Sequence, residues 1–207
     1  MDGDHDIDRC YEVTTAVLKA QFEELFHQRV ALEGMVLKPN MVIAGKKSPK
    51  KASVQEVAEK TVKMLKETFQ ELYYNKVALE GIVLKPNMAI PGKKSSRKAS
   101  VEEVAEKTVR VLKACVPGAV PGIAFLSGGQ SDEEATAHLD AMNKLGPLPW
   151  KLTFSYGRAL QAAPQKAWGG KSENVPSAQR AFAHRARMNG LAALGQWKAD
   201  LEGKKAA

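Results

Sequence analysis

Cysteine is nearly absent from this 207-residue chain, and the two that occur, Cys10 and Cys115, have no second motif beside them. That excludes a disulfide framework and points to reduced, buried thiols in a reducing compartment. Long apolar runs are missing as well. No stretch approaches the roughly 20 residues that cross a bilayer, and the opening Met1-Asp-Gly-Asp-His-Asp6 is acidic where a secretory leader is basic and then greasy. The chain is therefore expected to be soluble and unsecreted, without a membrane partner. Aromatic residues are scarce at 6%, which matters because the net charge of +8 invites a nucleic-acid reading. Much of the positive excess lies in Gly45-Lys-Lys-Ser-Pro-Lys-Lys51, in Gly92-Lys-Lys-Ser-Ser-Arg-Lys98 and in Lys204-Lys205, with no interleaved aromatics to stack on bases. These read as solvated loops, and nucleic acid is not an expected partner.

What the chain does have is an internal repeat. Ala31-Leu-Glu-Gly-Met-Val-Leu-Lys38-Pro-Asn-Met41 returns as Ala78-Leu-Glu-Gly-Ile-Val-Leu-Lys85-Pro-Asn-Met88, within a gapless match of 24–66 to 71–113 in which most positions are identical. A whole supersecondary unit is copied. With 44% hydrophobic residues, the length suits a single domain over 1–207 with a real core.

The pattern along the chain is alternating. Apolar residues from Asp6 to about Gln28 follow a helical period. Each copy then offers a short apolar run, Gly34 to Leu37 or Gly81 to Leu84, a Pro-Asn loop, and a helix announced by Ser53-x-x-Glu56 or Ser100-x-x-Glu103, the spacing of a capping box. A third strand, Gly122 to Leu126, leads through Ser127-Gly-Gly-Gln to a helix at Ser131-x-x-Glu134. A fourth, Trp150 to Ser155, leads into a helix from Tyr156 that Pro164 and Gly169-Gly170 are expected to break, and the last helix is expected from Ser177 to about Leu194. Strict alternation of strand and helix predicts a parallel sheet covered by helices.

Chemistry-bearing residues gather at the carboxyl ends of these strands, where parallel α/β folds put their sites. Ser127-Gly128-Gly129 before a helix offers bare backbone N–H groups and the positive end of a helix dipole, and Arg158 supplies a fork for phosphate oxygens. The alternative for the glycine pair is a tight strand-to-helix turn; together with Arg158 an anion site is favoured. Lys38 and Lys85 each end an apolar run. A lysine aimed at such a rim is either an ion-paired structural residue or an amine whose pKa burial lowers, able to form a Schiff base with a ketone or aldehyde.

Leu79-Glu-Gly-Ile-Val-Leu-Lys85-Pro-Asn-Met88, Phe125-Leu-Ser-Gly-Gly-Gln-Ser131, Phe154-Ser-Tyr-Gly-Arg158-Ala-Leu-Gln161, Ala167-Trp-Gly-Gly-Lys171 and the opening Asp2-Gly-Asp-His-Asp6 closely resemble class I fructose-bisphosphate aldolase, in that family's order and over nearly the whole chain. The resemblance implies a (β/α)8 TIM barrel that cleaves fructose 1,6-bisphosphate into dihydroxyacetone phosphate and glyceraldehyde 3-phosphate through a lysine Schiff base, without metal or other cofactor. Carried over by motif, Lys85 or Lys38 matches the Schiff-base lysine, and Ser127, Gly128, Gly129, Ser155, Gly157 and Arg158 match the phosphate-binding positions.

The departures are specific. The chain resembles only about the second half of the family barrel, with the sixth strand and helix duplicated, so an incompletely closed, partial barrel is expected. The strands that carry the family's acidic residues and second active-site lysine have no counterpart here, nor does its carboxy-terminal tyrosine. Lys38 has the family's upstream spacing, from Asp2, and Lys85 its downstream spacing, to Ser127. Because strand six must adjoin strand seven, Lys85 is expected at the family position. The expected partners are a sugar bisphosphate and other chains of the same kind, as a homo-oligomer or by association with other aldolase chains, in the cytoplasm or a plastid. The alternative is a catalytically impaired fragment that retains sugar-phosphate binding or serves as an interaction module.

Overall fold

The computed structural model describes residues 3–91 and 98–203. Asp2, most of the second basic loop (92–97) and the Lys204-Lys205 tail lie outside the described residues. The chain divides into two compact units, Met1–Leu84 with Arg110–Gly122, and Lys85–Val109 with Ile123–Ala207.

In the first unit, helix α1 (Ile7–His27) starts at Asp6, whose carboxylate accepts from the Arg9 N–H at 2.8 Å. Helix α2 (Val54–Tyr74) starts with a complete capping box: Ser53 Oγ accepts from Glu56 N, and the Glu56 carboxylate accepts from Ser53 N. These bonds hold the Glu56 carboxyl below its ordinary pKa. The two helices pack together through buried Phe22, Leu65, Phe69 and Leu72, and the Tyr11 hydroxyl donates to Glu67. Lys60 and Lys63 hold their ammonium groups 5.2 and 4.8 Å from the centre of the Tyr11 ring.

Strands β1 (Val36–Leu37) and β2 (Val83–Leu84) pair in parallel, Val36 with Val83 and Leu37 with Leu84. They are shorter than the apolar runs predict. Leu32–Gly34 and Leu79–Gly81 each form a 3₁₀ turn, closed by Met35 N to Leu32 O and Ile82 N to Leu79 O at 3.1 Å, and this removes the leading glycine from the strand. The copies agree in finer detail. Arg29 and Lys76 both stand at φ 56°, and each preceding helix ends with the same two bonds, Arg29 N to Phe26 O and Val30 N to Leu25 O, or Lys76 N to Tyr73 O and Val77 N to Leu72 O. This is a Schellman ending with a basic residue where glycine is favoured. Within the first copy Val42 N donates to Thr61 Oγ1 at 3.0 Å; in the second unit, Ala89 N donates to Thr108 Oγ1 at 2.9 Å.

Helix α3 (Val101–Cys115) begins as Ser100 Oγ accepts from Glu103 N. Both cysteines are free. Burial pushes the Cys115 thiol up to about 11, keeping it protonated and inert, whereas Cys10 is only partly buried, so the expectation of buried thiols holds for Cys115 alone.

The second unit carries strand β3 from Ile123 onward (Gly122–Phe125 in full), helix α4 (Asp132–Lys144), strand β4 (Lys151–Phe154), helix α5 (Arg158–Trp168) and helix α6 (Val175–Ala193). Its core holds Phe125, Leu139, Met142, Leu152, Met188 and Ala192. Helix α6 packs on α4, α5 and β4. Pro164 does not break α5, contrary to expectation. The helix runs through it and ends at Gly169, which takes the left-handed conformation at φ 58°, and Pro176 lies in the first turn of α6, where a missing N–H costs nothing. The four strands make one parallel sheet in the order β1-β2-β3-β4, which among the described residues does not close on itself. The expected parallel sheet with flanking helices and incomplete closure is the architecture observed.

Candidate active site

All but one of the candidate residues belong to the second unit, where three chain segments run side by side at the strand ends. Leu126 N donates to Pro86 O at 3.0 Å, and Ser155 N donates to Phe125 O at 2.8 Å. These bonds bring the Lys85-Pro86 segment, the end of β3 and the end of β4 to one rim. Lys85 is half-buried, and its Nζ donates to Ser155 Oγ at 2.8 Å. Two residues far apart in the sequence are thereby joined head to head.

Beside them the chain turns from β3 into α4. Gln130 N donates to Ser127 O at 3.2 Å, closing a four-residue turn, and Gly129 takes φ 85°, a conformation that L side chains avoid. A Cβ on Gly128 would lie 2.9 Å from Leu126 Cδ1, so a side chain there requires the Leu126 side chain to shift. Ser127 is buried. The turn feeds directly into the α4 capping box formed by Ser131 and Glu134, whose bonds from Ser131 hold the Glu134 carboxyl below its ordinary value. The region therefore combines glycine backbone with a helix start at which Ser131 and Glu134 satisfy each other's N–H groups.

Two residues past β4, Tyr156 is buried: its hydroxyl donates to Ala135 O at 2.8 Å, and burial raises its pKa far above the ordinary range. Gly157 is the N-cap of α5, its carbonyl accepting from Leu160 N and Gln161 N, and Arg158 is the first helical residue. The Arg158 side chain is exposed and has no ion pair among the described residues, which leaves its five donors available.

Lys38 stands apart. It belongs to the first unit, directly follows β1 and is exposed, with no hydrogen bond or ion pair among the described residues. Sequence reasoning did not single out Gln130 and His138, whose side chains meet behind the turn, Nδ1 to Oε1 at 2.6 Å. Gln130 lies inside a quoted motif; nothing in the sequence marks His138. Among the described residues no cluster of histidine, cysteine and carboxylate side chains suits a metal ion.

The family model for fructose-bisphosphate aldolase class I matches the chain twice, over residues 1–69 and 63–207. The chain belongs to that family. The first match contains the first copy, 24–66, and the second contains the second, 71–113. Among curated relatives, fructose-bisphosphate aldolase B of Gallus gallus is 45% identical over 95% of this chain and 41% of its own length. A probable fructose-bisphosphate aldolase class 1 of Xanthomonas campestris is 44% identical over 96% of this chain and 46% of its own. The cytosolic fructose-bisphosphate aldolase 4 of Arabidopsis thaliana is 47% identical over 98% of this chain and 40% of its own. A solved aldolase of Plasmodium falciparum superimposes with a TM-score of 0.65 at 38% identity, covering 96% of this chain and 44% of that one. The chain thus spans less than half the length of the aldolases it matches.

Proposed function

We propose that this site is the imine-forming and phosphate-anchoring part of a class I fructose-bisphosphate aldolase, acting in the reversible cleavage of fructose 1,6-bisphosphate to dihydroxyacetone phosphate and glyceraldehyde 3-phosphate. The observation that carries the reading is the bond from Lys85 Nζ to Ser155 Oγ, because it holds an amine at the rim that also bears Ser127, Gly128 and Gly129. In this reading the turn N–H groups, the Ser127 and Ser155 hydroxyls and the Gly157-Arg158 helix start bind a substrate phosphate. The bound phosphate fixes the ketone against Lys85, and that fixed geometry supplies much of the rate.

The unprotonated Lys85 amine adds to the ketone carbon and one water leaves with uptake of one proton, released again at the final hydrolysis, giving a protonated imine. When the carbon–carbon bond breaks, its electron pair flows into that iminium to form an enamine, while the neighbouring hydroxyl loses its proton to a base and becomes the aldehyde. Protonation of the enamine and hydrolysis, which consumes one water, return the amine and dihydroxyacetone phosphate. The base for the hydroxyl proton is assigned to no residue of this chain. Lys38 has no part in the step.

A second reading is a sugar-phosphate-binding module without turnover, which needs only the glycine turn, Ser155 and the Arg158 donors. An assay of dihydroxyacetone phosphate released from fructose 1,6-bisphosphate, run beside a titration with inorganic phosphate, separates them. Release that Lys85→Met abolishes, and that Ser127→Ala or Arg158→Ala weakens about tenfold in KM, supports the aldolase. Phosphate binding without release supports the module, and neither sinks both.

The cytosolic name of the Arabidopsis relative supports a cytosolic place for this chain. No helix among the described residues is long and apolar enough to cross a membrane. Val36, 59% exposed on the end strand β1, supports association with further chains, which sedimentation across a concentration series tests.

A further inference from the structure

We propose that His138 is a positioning residue for the Ser127-Gly128-Gly129-Gln130 turn, acting through the side chain of Gln130; the inference rests on the anion-binding reading of that turn. His138 stands in the second turn of α4, is 7% exposed, and brings Nδ1 to 2.6 Å from Gln130 Oε1. An amide oxygen only accepts, so Nδ1 carries the proton and donates. Burial favours the neutral imidazole, against the pull of the Glu134 and Glu102 carboxylates, so the bond is made by the Nδ1–H tautomer.

Gln130 is where the turn closes, its N–H donating to Ser127 O. Its Nε2 is buried without a partner, which leaves the imidazole as the only polar contact of that side chain among the described residues. The capping box begins one residue later, at Ser131, and does not hold the Gln130 side chain. A backbone anion site works only as well as its N–H groups are aimed beforehand. His138 supplies that aim from behind, without touching a ligand.

The test uses the whole chain. Amide hydrogen exchange without ligand and phosphorus NMR titration with inorganic phosphate are measured for His138→Ala, Gln130→Ala, the double variant and His138→Gln, with near-ultraviolet circular dichroism as the folding check. The expected result is faster exchange at Gly128 and Gly129, and phosphate affinity lower by about three- to tenfold, in each single alanine variant. The double variant should be no worse than either single one, because the two act as one unit. His138→Gln, whose amide N–H can still donate, should recover most of the loss. Additive losses, or unchanged exchange at the turn, overturn the proposal. If His138→Ala does not fold, Gln130→Ala alone decides it. If Ser127→Ala binds phosphate as tightly as the parent, the anion reading fails, and the exchange data still decide whether His138 braces the turn.

Discussion

Gly81 lies so close to the peptide of Glu33 that a Cβ on it would overlap the Glu33 carbonyl oxygen, whereas Gly34, its counterpart in the first copy, has nothing within 4 Å of the same position. The two glycines share their sequence context and their 3₁₀ turn. They differ in what flanks them: the Glu33 peptide stands against Gly81, and among the described residues nothing stands against Gly34. Gly81→Ala should therefore destabilise the fold by about 1–3 kcal/mol through overpacking, while Gly34→Ala should stay within about 0.5 kcal/mol. Urea unfolding of the two variants measures both, and equal effects would contradict the close approach of the Glu33 peptide to Gly81.

Arg29 and Lys76 bear the left-handed strain of two helix endings at φ 56°. Both are exposed, so glycine removes the strain without opening a cavity. Arg29→Gly and Lys76→Gly should each stabilise the chain by about 1 kcal/mol, read as a higher urea midpoint at unchanged slope. Ordinary helix interiors would respond in the opposite sense.

Glu202 holds down the end of the described chain. Its carboxylate accepts from Arg185, which is 3% exposed, from Trp197 Nε1 at 2.9 Å and from His184 Nε2 at 3.1 Å, while Arg185 Nη2 also donates to Thr136 Oγ1 at 2.8 Å. Burial alone would raise the Glu202 carboxyl, but the bonds from Arg185 and Trp197 outweigh it and hold the carboxyl below its ordinary value of 4.5. The folded value is the lower one, so this contribution is present above about pH 4.5 and is lost as pH falls through the folded pKa. Glu202→Ala should cost about 3–5 kcal/mol by stranding a buried guanidinium. Glu202→Gln should flatten the acid limb of stability against pH, and an unchanged acid limb would sink the assignment.

Much of this was legible in the sequence because local rules and tertiary structure agree. Ser53-x-x-Glu56 and Ser131-x-x-Glu134 became full capping boxes, and Asp6 became an N-cap, since each satisfies free helix-start N–H groups wherever the helix packs. The duplication of 24–66 as 71–113 is plain in the letters alone. The breaks came where a local preference lost to packing. Pro164 sits inside α5 because that helix is held along its length by α6, which outweighs one missing ladder bond. The runs before Lys38 and Lys85 kept only two strand residues each because the glycine reads equally well as strand or turn. The contact of His138 with Gln130 was invisible, since an imidazole on an apolar helix face reads as core until its partner is known.

In the proposed function Lys85, held by Ser155, is the amine that meets a phosphorylated ketone, and its copy Lys38 is not. Incubation of the chain with dihydroxyacetone phosphate and borohydride reduces any imine to a stable amine, which peptide mass spectrometry assigns to a residue. Label is expected on the Lys85 peptide, with loss of that label in Lys85→Met and weaker labelling in Ser155→Ala. Predominant label on Lys38, or none on either lysine at saturating ketone, would contradict it.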